Sequence, residues 1–254
     1  MVVTLASLGS LADELFWVHM VEHLAVGDIG TLLLVLGLTA PVLAPVLRIG
    51  FFDRLRILAH PLVAFPLWAV DLYLWHVPVV HEAALRHDAL HALQHASFVL
   101  FGANMWMALI GPLPKPAWFG NLAKLIYVIA VRLTGALLGN ILVFGGNVFY
   151  PIYAAGERAH GITAAGDQNA AGAVMMVEGS IVTLFLFGWL FARAAREGEE
   201  RQELLDLATA RGVALTEERA DHALTPKPLT PSARRTGCQV SPPTAIASRS
   251  SRRA

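Results

Sequence analysis

Five long apolar runs divide the sequence, spanning roughly Glu14 to Thr39, Pro61 to Val77, Leu90 to Ile110, Asn121 to Phe144 and Gln168 to Arg193. A helix rises about 1.5 Å per residue and a bilayer core is about 30 Å thick, so runs near 20 residues read as membrane spans. The pattern predicts an all-α fold, a polytopic transmembrane bundle of about five spans over residues 1–196. No basic segment precedes the first run and no small-residue cleavage site follows it, so that run is expected to be retained as a span. After the last run, Arg196, Glu199, Glu200, Arg201 and Glu203 alternate with Leu204, Leu205 and Leu207. That pattern predicts an amphipathic helical extension. Beyond about Thr225 the chain is rich in Pro, Ser, Thr and Arg and too poor in apolar groups to build a core. Residues 197–254 are therefore expected to be a cytoplasmic helix followed by a disordered tail.

Composition agrees with the pattern. Of the 254 residues, 56% are hydrophobic and only 15% charged, a balance that suits lipid better than water. The single cysteine, Cys238, excludes both an intrachain disulfide and a Cys-rich metal site. Charge matters through its distribution. The segment before the first span has no Lys or Arg, the second connection has only Arg86 and the fourth only Arg158. The alternate connections carry Arg48, Arg54 and Arg56, then Lys115 and Lys124, then Arg193, Arg196 and Arg201. The positive-inside rule then predicts the N-terminus outside and the C-terminus cytoplasmic, in a cell inner membrane.

That orientation gathers the histidines. His19 and His23 fall near the outer end of span one, His76 at the outer end of span two with His81 just beyond, and His87, His91 and His95 at the entry of span three. His160 lies in the last outer loop, leaving His60 at the inner end of span two and His222 in the tail. Pairs four residues apart, His19 with His23 and His91 with His95, each present two imidazoles on one helix face. Neutral imidazole is the commonest metal ligand, and it suits copper, zinc, iron and nickel alike. A single outer-end histidine is ordinarily an interfacial or packing residue. Two such pairs plus His76 at one depth point instead to a shared metal site of His19, His23, His76, His91 and His95. Met20 could add a soft sulfur, which would favour Cu(I), and Asp167, Glu22 and Glu82 are candidate oxygen ligands or acceptors that fix a ring's tautomer.

Asp71, Arg132 and Glu178 each fall near mid-membrane, where a charge costs about 2.5–3.5 kcal/mol on insertion scales. They are expected to face the interior, with Arg132 pairing one or both acids. Either this fixes helix register or it forms a polar path leading inward from the histidines. Met175, Met176, Met105 and Met107 read as gap-filling residues. No nucleotide loop, nucleophile elbow or zinc-protease motif is present, and neither enzyme activity nor nucleic-acid binding is expected.

The motifs His19-Met20-Val21-Glu22-His23, His60-Pro61, Leu74-Trp75-His76-Val77-Pro78 and Leu90-His91-Ala92-Leu93-Gln94-His95 occur in that order. Tyr150-Pro151-Ile152-Tyr153 and Asp167-Gln168 with Gly172 follow. Together they resemble the multi-span CtaG family of cytochrome c oxidase assembly factors, associated with caa-type oxidases, over about residues 15 to 190. The chain starts almost at the first histidine motif, an upstream span or two short of that pattern, and has Asp28-Ile29-Gly30 where a Pro-rich stretch is expected. The resemblance implies a role in forming active oxidase, handling copper for its metal centres, with oxidase subunits or other copper-handling proteins as partners. Two other readings fit the histidines: a transporter of copper or another metal ion, and a membrane cytochrome with axial histidines on a haem.

Overall fold

The computed structural model describes residues 9–39, 41, 42, 45, 56–113, 115–213, 216 and 219. Arg48, Arg54, His222, Cys238 and the tail beyond Thr225 lie outside the described residues, as does most of the basic first connection. Among the described residues there are only helices and connections. In chain order they are α1 (Phe16–Gly37), α2 (Pro61–Trp75), α3 (Pro78–Arg86), α4 (Asp88–Leu109), α5 (Asn121–Phe144), the short α6 (Ala154–Ala159) and α7 (Ala164–Ala210).

Three of these, α1, α5 and α7, are long and apolar enough to cross a membrane, and α2 with α3 makes a fourth if that bent pair is one span. The outer faces of the long helices carry large apolar side chains, among them Leu33, Leu62, Val70, Leu100 of α4, Leu133, Leu184 and Phe191, each more than 60% exposed. In water such a surface would aggregate, and in lipid it is the expected covering. The protein is a membrane protein. The predicted third span, α4, has 22 residues, about 33 Å of helix. Its His91, Gln94, His95, Ser97 and Asn104 reduce its apolarity, which is why length and hydropathy alone count three to four spans where five are predicted.

Each irregularity has a local cause. Leu15 is extended, so the segment 9–14 ends there and α1 starts afresh at Phe16. Between Ala25 and Gly30 α1 widens to a π-helix, which frees carbonyl groups from the regular ladder. Thr31 Oγ1 donates to Gly27 O at 2.6 Å and lies 3.0 Å from Asp28 O, while Trp106 Nε1 of α4 donates to Asp28 O at 3.1 Å. The helices meet there because both are glycine: a Cβ on Gly102 would stand 2.2 Å from Gly27 O. A second close crossing joins α5 to α7, where a Cβ on Gly172 would stand 2.5 Å from Gly139 O. Such small-residue crossings let helix backbones approach in a membrane, where no hydrophobic effect drives helices together. Pro78 cannot continue α2, and α3 departs from it at 73°.

Two apolar clusters fill the bundle. At the histidine end Phe16, Met20, Leu138, Leu142, Tyr150, Tyr153 and Met175 pack together. At the opposite end Val35, Trp106, Leu109, Tyr127, Val131, Leu186 and Leu190 do so. Past the second cluster α7 continues unbroken to Ala210, so the predicted amphipathic extension is the same helix as the last span.

Candidate metal site

The i, i+4 spacing does what helical geometry requires. His19 and His23 project from one face of α1, His91 and His95 from one face of α4, and the two faces meet. Ring centroids lie 4.1 Å apart for His19 and His23, 4.5 Å for His91 and His95, 5.1 Å for His23 and His95, and 5.5 Å for the stacked His19 and His91. One ring nitrogen from each of His19, His23 and His91 falls within 4.8 Å of the others. An ion held at about 2.0–2.1 Å by each would draw them to about 3.4 Å, a small side-chain rotation. His19 is wholly buried and His23 nearly so.

Six buried ring nitrogens in this group, both of His19, both of His23, and Nε2 of His91 and of His95, have no hydrogen-bond partner in the protein. A buried polar atom left unpaired costs about 1–3 kcal/mol. A cation that takes one lone pair from each ring removes part of that cost, so the donor set fits a metal ion.

His76 stands apart from this group. Its Nδ1 lies 2.7 Å from Leu72 O and its Nε2 lies 3.4 Å from Met20 Sδ. Met20 does turn inward, but toward His76. In its place His81, carried back over the bundle by the bend at Pro78, brings its ring to 5.0 Å from His19. The remaining histidines lie elsewhere. His60 caps α2 by accepting from Leu62 N, His87 is exposed, and His160 lies 2.7 Å from Glu14. Glu82 pairs with Arg86.

Four residues of the sequence motifs frame the site. Asp167, read from sequence as an oxygen ligand or ring acceptor, is engaged by backbone. Its two carboxylate oxygens accept from Phe16 N at 2.8 Å and Trp17 N at 2.9 Å. These N–H groups lost their helical partners where Leu15 is extended, and an acid at a helix N-terminus also matches the helix dipole. Gln168 ties down the other end of the pair: Phe149 N donates to its Oε1, and its Nε2 donates to Leu142 O and Asn147 O. Tyr150 donates to His76 O at 2.7 Å, satisfying the carbonyl exposed by the α2–α3 break. Tyr153 lies 3.0 Å from His81 Nε2. Burial, with help from the nearby Asp167 carboxylate, pushes the Tyr153 hydroxyl above its ordinary range, so it stays protonated beside His81.

Deeper in the bundle, Arg132 binds Asp28 at 2.5 Å and lies 3.8 Å from Glu178, with Trp106 stacked 5.2 Å from the guanidinium. The expected pairing with Glu178 is present. Of the two acids Arg132 takes this one alone: Asp71 accepts from Trp75 Nε1 at 3.0 Å, which also donates to Ser97 of α4 at 2.8 Å. Asp28, carried inward by the π-helical turn, is the other acid on Arg132. A cavity of about 530 Å³ joins the two regions, with Met20, His23 and His76 at one end and Asp28, Arg132 and Glu178 along its wall.

A family model described as the cytochrome c oxidase caa3 assembly factor matches residues 1–197 of the chain. Searches of curated proteins and of solved structures gave no match.

Proposed function

The chain belongs to the cytochrome c oxidase caa3 assembly factor family, and from that premise we propose that it holds copper for oxidase maturation through His19, His23, His91 and His95. In this reading the protein is a five-span inner-membrane factor with its N-terminus outside, so that the imidazoles lie at the face where copper would be exchanged with oxidase subunits or other copper-handling proteins. The observation that carries the proposal is the convergence of His19, His23 and His91 nitrogens within 4.8 Å, buried and lacking protein partners. Imidazoles alone would also accept zinc. The oxidase association is what favours copper. Rings packed directly against one another favour an ion over a planar haem. No catalytic role is assigned.

The cavity running from His23 to Glu178 favours a second reading, a metal transporter. Copper accumulation by sealed vesicles containing the purified protein would favour transport over holding.

The functional test is made in cells lacking the chain. The wild-type protein is expected to restore oxidase activity and copper content. A His19→Ala/His91→Ala variant present in the membrane at the same level should lower both at least tenfold. Full oxidase activity with that variant would refute the proposal.

A further inference from the structure

The contact between His76 and Met20 is unusual in having no hydrogen available to bridge it. Leu72 O is an acceptor 2.7 Å from His76 Nδ1, so Nδ1 carries the proton. A neutral ring then leaves a bare lone pair on Nε2, and this lone pair faces the thioether of Met20 at 3.4 Å. Two acceptors held face to face, both buried, gain nothing from each other. A soft cation between them would bind both. An ion about 2.0 Å from an imidazole nitrogen and about 2.3 Å from sulfur, at a tetrahedral angle, sets the two atoms about 3.5 Å apart, close to the spacing present.

The rest of the surroundings suit the same ion. The pair opens on the cavity, whose wall also carries Met175, Met176 and His23. Met175 belongs to the same buried cluster as Met20. The backbone on both sides is fixed. Tyr150 holds the His76 carbonyl, and Met20 immediately follows His19 in a turn of α1 whose start Asp167 clamps. Thioether with imidazole selects a soft ion such as Cu(I) over zinc.

We propose that Met20 and His76 form a second, softer Cu(I) site at the cavity mouth, separate from the imidazole group of His19, His23 and His91. The inference rests on the copper reading above, and supplies a neighbouring position of different softness. Ligand softness differs between the two, as expected where an ion must be held and then released.

The test uses the full-length protein in detergent, loaded anaerobically with Cu(I) and freed of excess by a weak chelator. Wild type is expected to retain two equivalents. Met20→Leu, a swap that nearly conserves volume, should retain one. His19→Ala/His91→Ala should also retain one, and X-ray absorption on that sample should show sulfur bound to copper. Two equivalents in Met20→Leu, or only nitrogen around copper in the double variant, would overturn the second site while leaving the copper reading intact. Wild type that binds no copper would overturn both. Should Met20→Leu fail to fold, selenomethionine-labelled wild type decides the question: a copper–selenium shell supports the site and its absence rejects it.

Discussion

Arg132→Met is expected to destabilise the bundle by about 3–5 kcal/mol, enough to remove most of the protein from the membrane. The side chain is only 13% exposed and is the cation between Asp28 and Glu178, whose own side chains are 14% and 13% exposed. Breaking a buried pair from one side leaves uncompensated charge, which is the costly way to lose it. Here two carboxyl groups would face each other without a counter-ion. Trp106 would lose the guanidinium stacked on it as well. Adding Asp28→Asn to Arg132→Met should restore part of the loss by removing one of the stranded charges. Protein level in membranes and the thermal midpoint in detergent report both effects. A single variant that melts like wild type would show that the triad contributes nothing to stability.

Asp167→Ala should cost about 3 kcal/mol and loosen the site from a distance. Hydrogen bonds to a charged acceptor are worth about 1.5–3 kcal/mol each, and the substitution leaves the N–H groups of Phe16 and Trp17 unpaired, the first of them fully buried. Those groups begin the helical turn that carries His19 and His23, so the imidazoles lose their register with α4. Asp167→Asn retains an acceptor oxygen without the charge and should fall between. The thermal midpoint measures the stability term. Copper retention measures the positional one, and it should fall in Asp167→Ala even at temperatures where the protein stays folded. Unchanged retention and midpoint would mean that the cap is dispensable.

What the sequence discloses follows from which physical rule each residue obeys. Helical periodicity alone brings His19 with His23 and His91 with His95 to one face each, and the observed rings meet as that spacing requires. His81 escapes such reasoning, because its place depends on a 73° turn at Pro78, and hydropathy gives no angle. Depth in the membrane was enough to pair Arg132 with Glu178. It was insufficient for Asp71, which bonds Trp75 on its own helix, next to Ser97 of α4. Asp28 is hidden for another reason: a π-helical turn shifts the phase of α1, and the sequence signals it only through glycines at 27 and 30 beside Thr31. Asp167 and Gln168 offer polar atoms of the right kind for ligands, yet both serve backbone ends left by an extended residue and a helix terminus. Such needs become visible only once the chain's breaks are located.

Copper analysis of the purified full-length protein, alongside the His19→Ala/His91→Ala variant, tests the central claim most directly. With one equivalent of Cu(I) supplied, wild type should retain it against a competing chelator, with imidazole nitrogens as the main ligands. The variant should bind at least a hundredfold more weakly at those nitrogens while keeping its helical content. An unchanged shell of imidazole nitrogens around copper in the variant, or no copper retained by wild type, would contradict the account.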